Sequence, residues 1–148
     1  MKKIISLSSI FLVIDIVVKL IVKYNMEVYE SIKIIDNFFY ITYVKNSGAA
    51  WSILSGKQIF LIIFSIIVII GIIIYLVKKK DYTKIEVISY SLLLSGAVGN
   101  LIDRVLYGYV IDYLNFYIFN YNFPIFNIAD TCIVIGIMLL FIDIRKEA

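Results

Sequence analysis

The chain alternates long apolar runs with shorter polar stretches, and the runs are long enough to cross a membrane. Residues 59–77 form a run without a single charge, and a helix of about 20 apolar residues spans the hydrocarbon core of a bilayer. Three further stretches are apolar with few charges, at residues 4–22, 86–102 and 126–144. The pattern therefore predicts an all-α membrane bundle of four transmembrane helices, built as one domain from residues 1–148.

The distribution of cations predicts how this bundle is oriented. Four spans place both termini on one side, together with residues 78–84. Eight cations lie in these short segments: Lys2, Lys3, Lys78, Lys79, Lys80, Lys84, Arg145 and Lys146. Because cytoplasmic segments carry an excess of lysine and arginine, we expect both termini in the cytoplasm. The net charge of +3 thus follows from membrane orientation, and it gives no support for a nucleic-acid partner.

The two outer loops are where structure outside the membrane is expected. In residues 23–58, the alternation in "FFYITYV" predicts short strands and "NSG" predicts a turn. We expect a small extracytoplasmic β-sheet on the membrane surface, with Trp51 at headgroup level. Residues 103–124 are rich in tyrosine, phenylalanine and asparagine. This composition is typical of an interfacial segment between helices 3 and 4.

Composition narrows the possible chemistry. Hydrophobic residues make up 62% of the chain and charged residues 17%, whereas soluble domains are roughly half apolar and a quarter charged. Residues 1–14 have the basic start and apolar stretch of a secretory signal peptide, but no small-residue cleavage site follows, so we expect a retained helix. The single cysteine, Cys132, allows no internal disulfide. The lack of histidine excludes histidine-based zinc sites and Ser-His or Cys-His catalysis, and no metal or cofactor is expected.

Ionisable residues within the predicted spans need an explanation, because each costs roughly 2.5–3.5 kcal/mol to insert. Asp15 and Lys19 are four residues apart on one helix face, so an ion pair is the simplest interpretation. A supporting role beside an active site is the alternative.

A second polar face lies near the end of the third span. Gly96, Asn100 and the Asp103–Arg104 pair recur at spacings of four and three residues. Glycine allows another helix to approach closely, and Asn100 could hydrogen-bond across that contact. Asp103 and Arg104 are adjacent, so they point in different directions, and we expect them to bind separate partners.

Asp112 and Asp130 are the candidates for catalysis. Both occur in apolar surroundings near the same membrane boundary, and Asn127 lies three residues before Asp130. Two carboxylates in a medium of low dielectric constant cannot both ionise cheaply, so they would share a proton. Such a pair activates water for peptide hydrolysis without metal, histidine or covalent nucleophile. The alternative is a helix-capping Asp130 and a solvated Asp112.

Five motifs occur in order along the predicted spans: "DIVVK", "NSGAAW", "GAVGNLIDR", "GYVIDY" and "FPIFNIAD". Each is weak alone, but together they cover nearly the whole chain and resemble the lipoprotein signal peptidase (signal peptidase II) family. The resemblance implies an aspartyl endopeptidase of the bacterial cytoplasmic membrane, with its active site at the extracytoplasmic side. We expect it to be a monomer among the membrane lipids. It implies prolipoprotein substrates that carry a diacylglyceryl group on the cysteine that becomes the new N-terminus.

The resemblance also implies roles for particular residues. The aspartates of "VID" and "NIAD", Asp112 and Asp130, match the catalytic pair of the family. The matching supporting positions are Asp15, Lys19, Asn46, Gly96, Asn100, Asp103, Arg104, Asn127 and Ala129. Ser95 and Ile16 depart from the pattern, where the family more often has glycine and glutamine, but neither belongs to the proposed pair.

Three other functions are compatible with parts of the sequence. A small transporter could use the buried aspartates as an ion path, although the chain has no repeated half and its second span has no charge. A Ser-Lys peptidase could use Ser47 or Ser52 near Lys45, although a lysine in this turn-rich loop would be solvated and protonated. A scaffold without enzymatic activity would tolerate Asp→Asn substitutions.

Overall fold

The computed structural model describes residues 1–49, 53–118 and 121–147, so the predicted location of Trp51 lies outside the described residues. In these ranges, four long helices and four strands follow one another. They are α1 (Lys2–Asn25), β1 (Ser31–Ile35), β2 (Phe39–Asn46), α2 (Gln58–Lys78), α3 (Lys84–Tyr107), β3 (Val110–Ile118), β4 (Tyr121–Asn122) and α4 (Ile128–Glu147).

Within the described residues, three helices are long and apolar enough to cross a membrane, namely α1, α2 and α3. They contain the first three predicted spans. The fourth predicted span coincides with α4, which has 20 residues. Asp130 and Asp143 place a charge near each end of α4, and this helix is not among the three. A membrane crossing by α4 therefore stays a prediction.

The third helix is the axis on which the other helices pack. Small residues allow close approach, since a Cβ atom on Gly96 would overlap the carbonyl oxygen of Ala129 in α4. A Cβ atom on Gly99 would lie 2.6 Å from the Asp15 carboxylate in α1. The second helix is different, because most of its large apolar side chains are exposed. Such a surface suits contact with lipid.

Both ends of α3 have specific caps. At its N-terminus, Thr83 accepts a hydrogen bond from the Glu86 main-chain N–H (3.0 Å), and the Glu86 carboxylate accepts one from the Thr83 N–H (3.0 Å). At its C-terminus, Gly108 adopts a left-handed conformation with φ of 76°, which glycine reaches without steric cost. This turn leads directly into β3, so α3 fixes where Asp112 begins its strand.

The strands form one antiparallel sheet in the order β1-β2-β3-β4. In the pairing of β2 with β3, Val44 lies opposite Asp112 and Asn46 opposite Val110. The predicted small sheet is confirmed, and the interfacial location of residues 103–124 stays a prediction. Within this range, residues 103–107 complete α3, residues 110–118 form β3 and residues 121–122 form β4. The strand β3 escaped prediction because its first four residues are all buried, so no polar and apolar alternation marks it.

An apolar cluster fastens the sheet to the helices. Val22 of α1 packs with Tyr43, Ile111 and Tyr113 of the two central strands, and all four are at most 5% exposed. The strand that carries Asp112 is therefore held firmly against the bundle.

Candidate active site

The structure brings Asp112 and Asp130 to the same site. Asp112 belongs to β3 and is 2% exposed, whereas Asp130 lies in the first turn of α4. Asn127 bridges the two residues: its side-chain Nδ2 donates to Asp112 Oδ1 (2.7 Å), and its main-chain N–H donates to Asp130 Oδ2 (3.2 Å). The two carboxylates therefore converge on one asparagine.

Asn127 also caps the fourth helix. Its Oδ1 accepts a hydrogen bond from the Asp130 main-chain N–H (2.8 Å), reciprocal to the bond that Asp130 Oδ2 receives. The capping interpretation of Asp130 is thus correct for one carboxylate oxygen. The other oxygen, Oδ1, accepts from Asn100 Nδ2 (2.7 Å). The cap and the contact with Asn100 together fix the orientation of the Asp130 carboxylate.

Lys19 is the centre of a buried network behind this pair. Its ammonium group contacts Asp15 (2.8 Å) and Asp103 (3.0 Å), and it donates to Asn100 Oδ1 (3.1 Å). Lys19 is 1% exposed. The predicted Asp15–Lys19 ion pair is confirmed, and Asn100 connects its cation to Asp130.

The two carboxylates bound to Lys19 each hold a main-chain group beside one member of the pair. Asp15 Oδ1 accepts from the N–H of Ala129 (2.9 Å), which immediately precedes Asp130. Asp103 Oδ2 accepts from the N–H of Ile111 (3.1 Å), which immediately precedes Asp112. The Lys19 network therefore positions the backbone on both sides of the site.

Asn46 and Arg104 connect the site to Gly48, in the loop after β2. Asn46 Nδ2 donates to Asp112 Oδ2 (2.8 Å), while its Oδ1 accepts from the Gly48 N–H (2.9 Å). Arg104 donates to the carbonyl oxygens of Gly48 (3.1 Å) and Asn100 (3.4 Å). As predicted, Arg104 and its neighbour Asp103 bind separate partners.

Burial governs the protonation of Asp112. Loss of water, together with the neighbouring charge of Asp130, raises the pKa of its carboxyl group to about 7. Hydrogen bonds from Asn46 and Asn127, and the charge of Lys19, act in the opposite direction. A proton is therefore available at this site near neutral pH.

The pair lies at the polar end of a cavity of about 960 Å³. Asn46, Asn100 and Arg104 line this end together with the two aspartates, and apolar side chains line the remainder. These include Leu61, Phe64 and Val68 of α2, Phe123 and Phe126 of the loop before α4, and Ile133 and Val134 of α4. The cavity can accommodate a long apolar ligand with one polar group at the aspartates.

The alternative Ser-Lys arrangement is not assembled by the described residues. Ser47 Oγ is hydrogen-bonded to Ser55 Oγ (2.6 Å). The ammonium group of Lys45 instead lies 5.1 Å from the centroid of the Tyr109 ring. Ser52 lies outside the described residues.

Two contributors to the site were missed by sequence reasoning. Gly99 lets the Asp15 carboxylate approach α3, and its signal was present, since Gly96 and Gly99 are three residues apart on one helix face. The N–H of Ile111 binds Asp103 through the main chain. Any residue except proline has this main-chain group, so the pattern of side chains in the sequence cannot predict such a contact.

Comparison with known proteins decides the family. The model of the family described as signal peptidase (SPase) II matches residues 7–146. The chain belongs to the signal peptidase II family. It is thus a hydrolase of the group that removes signal peptides from lipoprotein precursors, and its apolar helices agree with a membrane enzyme.

Individual relatives match most of this chain. A lipoprotein signal peptidase of Staphylococcus aureus strain MRSA252 is 44% identical over 142 residues, which are 95% of this chain and 87% of the relative. The enzyme of strain JH9 is 43% identical over the same length and the same shares of both chains.

Two solved structures of a bacterial membrane enzyme, obtained by the in meso method, are also similar. At 2.3 Å resolution, the TM-score is 0.92 with 40% identity, over 99% of this chain and 90% of the other. At 1.9 Å resolution, the TM-score is 0.89 with 40% identity, over 100% and 96%.

Proposed function

We propose that this signal peptidase II is an intramembrane aspartyl endopeptidase with Asp112 and Asp130 as its catalytic pair. It removes signal peptides from diacylglyceryl-modified prolipoproteins by cleaving on the N-terminal side of the lipidated cysteine. The observation that carries the proposal is the convergence of both carboxylates on Asn127, at the polar end of an apolar cavity.

The proposed reaction divides acid and base work between the two aspartates. One carboxylate takes a proton from water as the water oxygen attacks the scissile carbonyl carbon, while the protonated partner donates to the carbonyl oxygen. The tetrahedral intermediate then collapses, the C–N bond breaks, and the departing nitrogen receives a proton from the pair. Burial favours a shared proton, because two ionised carboxylates in such a site repel one another.

The remaining site residues have positioning roles in this proposal. Asn46, Asn100 and Asn127 orient the carboxylates, and Arg104 holds the loop beside them. The network of Lys19, Asp15 and Asp103 fixes the neighbouring backbone. Gly96 and Ala129 allow α3 and α4 to meet.

The apolar cavity suits a lipidated substrate. Its walls on α2 and α4 can receive the acyl chains of the diacylglyceryl group while the scissile bond lies at the polar end. Both aspartates lie toward the C-terminal end of α3, opposite the basic segment that precedes it. With both termini in the cytoplasm, this is the extracytoplasmic side of the cytoplasmic membrane. One monomer supplies every residue of the pair and its supports.

The test is a cleavage assay with purified, folded enzyme and a reporter precursor prepared with and without its diacylglyceryl group. Wild type should cleave only the lipidated form. Asp112→Asn or Asp130→Asn should each abolish cleavage, because asparagine preserves shape but cannot act as the base. The double variant should be little worse than either single one, since the two residues act as a unit.

Asp36→Asn is the matched control. Its side chain is 66% exposed on the β1–β2 turn, in an ion pair with Lys33, so cleavage should be unchanged. Rates close to wild type for either Asp112→Asn or Asp130→Asn would refute the pair. Equal cleavage of the unlipidated precursor would refute the lipid requirement.

A further inference from the structure

A second cavity lies on the opposite flank of α2 from the catalytic cavity. Its volume is about 320 Å³, which falls within the range of small-molecule pockets, roughly 300–1,000 Å³. One wall is the first half of α1, from Met1 to Leu12, and the other is the second half of α2, from Ile69 to Val77. Leu94 and Val98 of α3 form its floor. This α1–α2 groove contains none of the proposed catalytic residues.

The length of the α1–α2 groove matches one leaflet of a bilayer. From Met1 to Leu12 an α-helix rises about 16 Å, which is close to half of the roughly 30 Å hydrocarbon core. The lining is apolar except for Ser8 and Ser9, and the hydroxyl of Ser9 already donates to the Ile5 carbonyl oxygen (2.9 Å). The groove therefore suits a single acyl chain running along the helices.

Three exposed cations follow closely in the chain on residues that line one end of the groove, here called its mouth. Met1 and Val77 line this end, and the exposed Lys2, Lys3 and Lys78 are their neighbours in the chain. Within the described part of the chain, these three lysines take part in no ion pair, whereas the next lysine, Lys79, is paired with Glu86. Three uncompensated cations at the end of an apolar groove are complementary to an anionic headgroup.

We propose that the α1–α2 groove is a binding site for an anionic glycerophospholipid. One acyl chain lies between α1 and α2, and the phosphate group lies at the mouth beside the three lysines. Basic pockets between transmembrane helices on the cytoplasmic side bind anionic headgroups through the same combination of charge and apolar contact.

The position of the groove gives this lipid a structural role. On one flank, α2 lines the catalytic cavity with Phe64 and Val68, and on the other it lines the groove with Ile69 and Ile73. Among the described elements, α3 makes the most extensive contact with α2. A bound lipid therefore packs against the exposed side of α2 and supports one wall of the catalytic cavity.

Native mass spectrometry of the purified full-length chain tests the proposal, with equimolar dioleoylphosphatidylglycerol and dioleoylphosphatidylcholine as competing probes. Wild type should retain one phosphatidylglycerol molecule with at least about tenfold preference. Ile73→Trp fills the groove and should lose this molecule. Ile74→Trp should retain it, because Ile74 is 50% exposed and lines neither cavity.

The headgroup contact is tested separately by the triple variant Lys2→Gln, Lys3→Gln and Lys78→Gln. These side chains are exposed, so the fold should persist even if Ile73→Trp is unstable. The preference for phosphatidylglycerol should fall close to one. A triple variant at the other end of the molecule, Lys33→Gln, Lys45→Gln and Lys57→Gln, should keep the preference.

Three outcomes would overturn the proposal. Equal retention of the two lipids by wild type would mean that the groove binds lipids without selecting the headgroup. If the Lys2, Lys3 and Lys78 variant keeps its preference for phosphatidylglycerol, the headgroup does not bind at these lysines. Dimers that disappear in Ile73→Trp, with no lipid lost, would identify the occupant as a second copy of the chain.

Discussion

At the scale of single residues, Lys19 determines how the acidic side chains of the site can coexist. It is the cation shared by Asp15 and Asp103, both of which are buried. Without that cation two buried carboxylates would face one another, and removing one partner of a buried ion pair costs about 3–5 kcal/mol. The lysine therefore permits acidic groups to be placed beside Ala129 and Ile111, where they bind the main chain.

The protonation of Asp112 predicts an alkaline limit to activity. The reaction needs one proton on the pair, and the pKa of Asp112 is raised to about 7 by burial, so kcat/KM should fall as the pH rises through about 7. Asn46→Ala removes a hydrogen bond that favours the carboxylate. This substitution should raise the pKa of Asp112 and move the alkaline limb of the pH profile upward by about one pH unit. The measurement is kcat/KM between pH 5 and 9 with a lipidated reporter.

Ser47→Ala is the control for this shift, because the Ser47 hydroxyl is bonded to Ser55 and not to Asp112. Its pH profile should coincide with that of wild type. A limb that stays in place or moves downward in Asn46→Ala would contradict the assignment.

The same raised pKa affects stability with a defined sign. The folded state keeps the Asp112 proton up to about pH 7, whereas the unfolded chain releases it near the ordinary value of 3.8. The retained proton of Asp112 therefore adds to the free energy of unfolding. This contribution is fully present below pH 3.8 and is lost as the pH rises toward 7.

Residue-level contacts could be predicted from the sequence only where they are local. The Asp15–Lys19 pair follows from a spacing of four residues. The bond from Ala129 to Asp15 joins residues 114 positions apart, and no pattern within one element encodes it. The motifs identified the members of the site but not the contacts between them.

At the scale of secondary-structure elements, the contact of α3 with α4 sets the geometry of the site. Asn100 of α3 and Asp130 of α4 are joined by a bond of 2.7 Å, and this bond depends on how closely the two helices approach. Gly96 lies one turn before Asn100, against the Ala129 carbonyl oxygen.

Gly96→Ala should separate the helices and reduce cleavage by at least about tenfold. Its Cβ atom would overlap Ala129 and lie 2.7 Å from Ile133 Cγ1, so backbone must move. Gly71→Ala in α2 is the matched control, because its Cβ atom would meet nothing within 4 Å. That change should leave cleavage intact and, by helix propensity, stabilise by up to about 1 kcal/mol. Cleavage rates and thermal unfolding of both variants test this, and equal activity of the two would contradict it.

A helix or strand could be predicted from the sequence where its polar and apolar residues alternate, or where its apolar run is unusually long. The run at residues 59–77 predicted α2 almost to its ends, and alternation predicted β2. The third span was predicted to end at residue 102, but α3 continues to Tyr107. Asp103 and Arg104 resemble loop residues by charge, yet they remain helical because Lys19 and Gly48 provide buried partners.

At the scale of the whole molecule, charge asymmetry predicts how the chain lies in the membrane. Reporter fusions at the N-terminus and after Lys80 should report the cytoplasm, and fusions near Lys33 should report the outside, because basic segments remain inside. A fusion at the C-terminus should report the cytoplasm only if α4 crosses the membrane. An external C-terminus would leave three crossings and contradict the predicted four-span topology.

The network around Lys19 also predicts the order in which the proposed site assembles during synthesis of the chain. Translation delivers α1 first, and Asp15 can neutralise Lys19 within that single helix, so a nascent chain enters the membrane without a lone charge. Asp103, Ile111 and Ala129 join later, and Asp130 comes with α4 at the very end. A partly made chain therefore lacks one half of the proposed pair and the backbone ties that orient both halves. On the proposed assignment, the chain gains its activity only when α4 has joined the other helices.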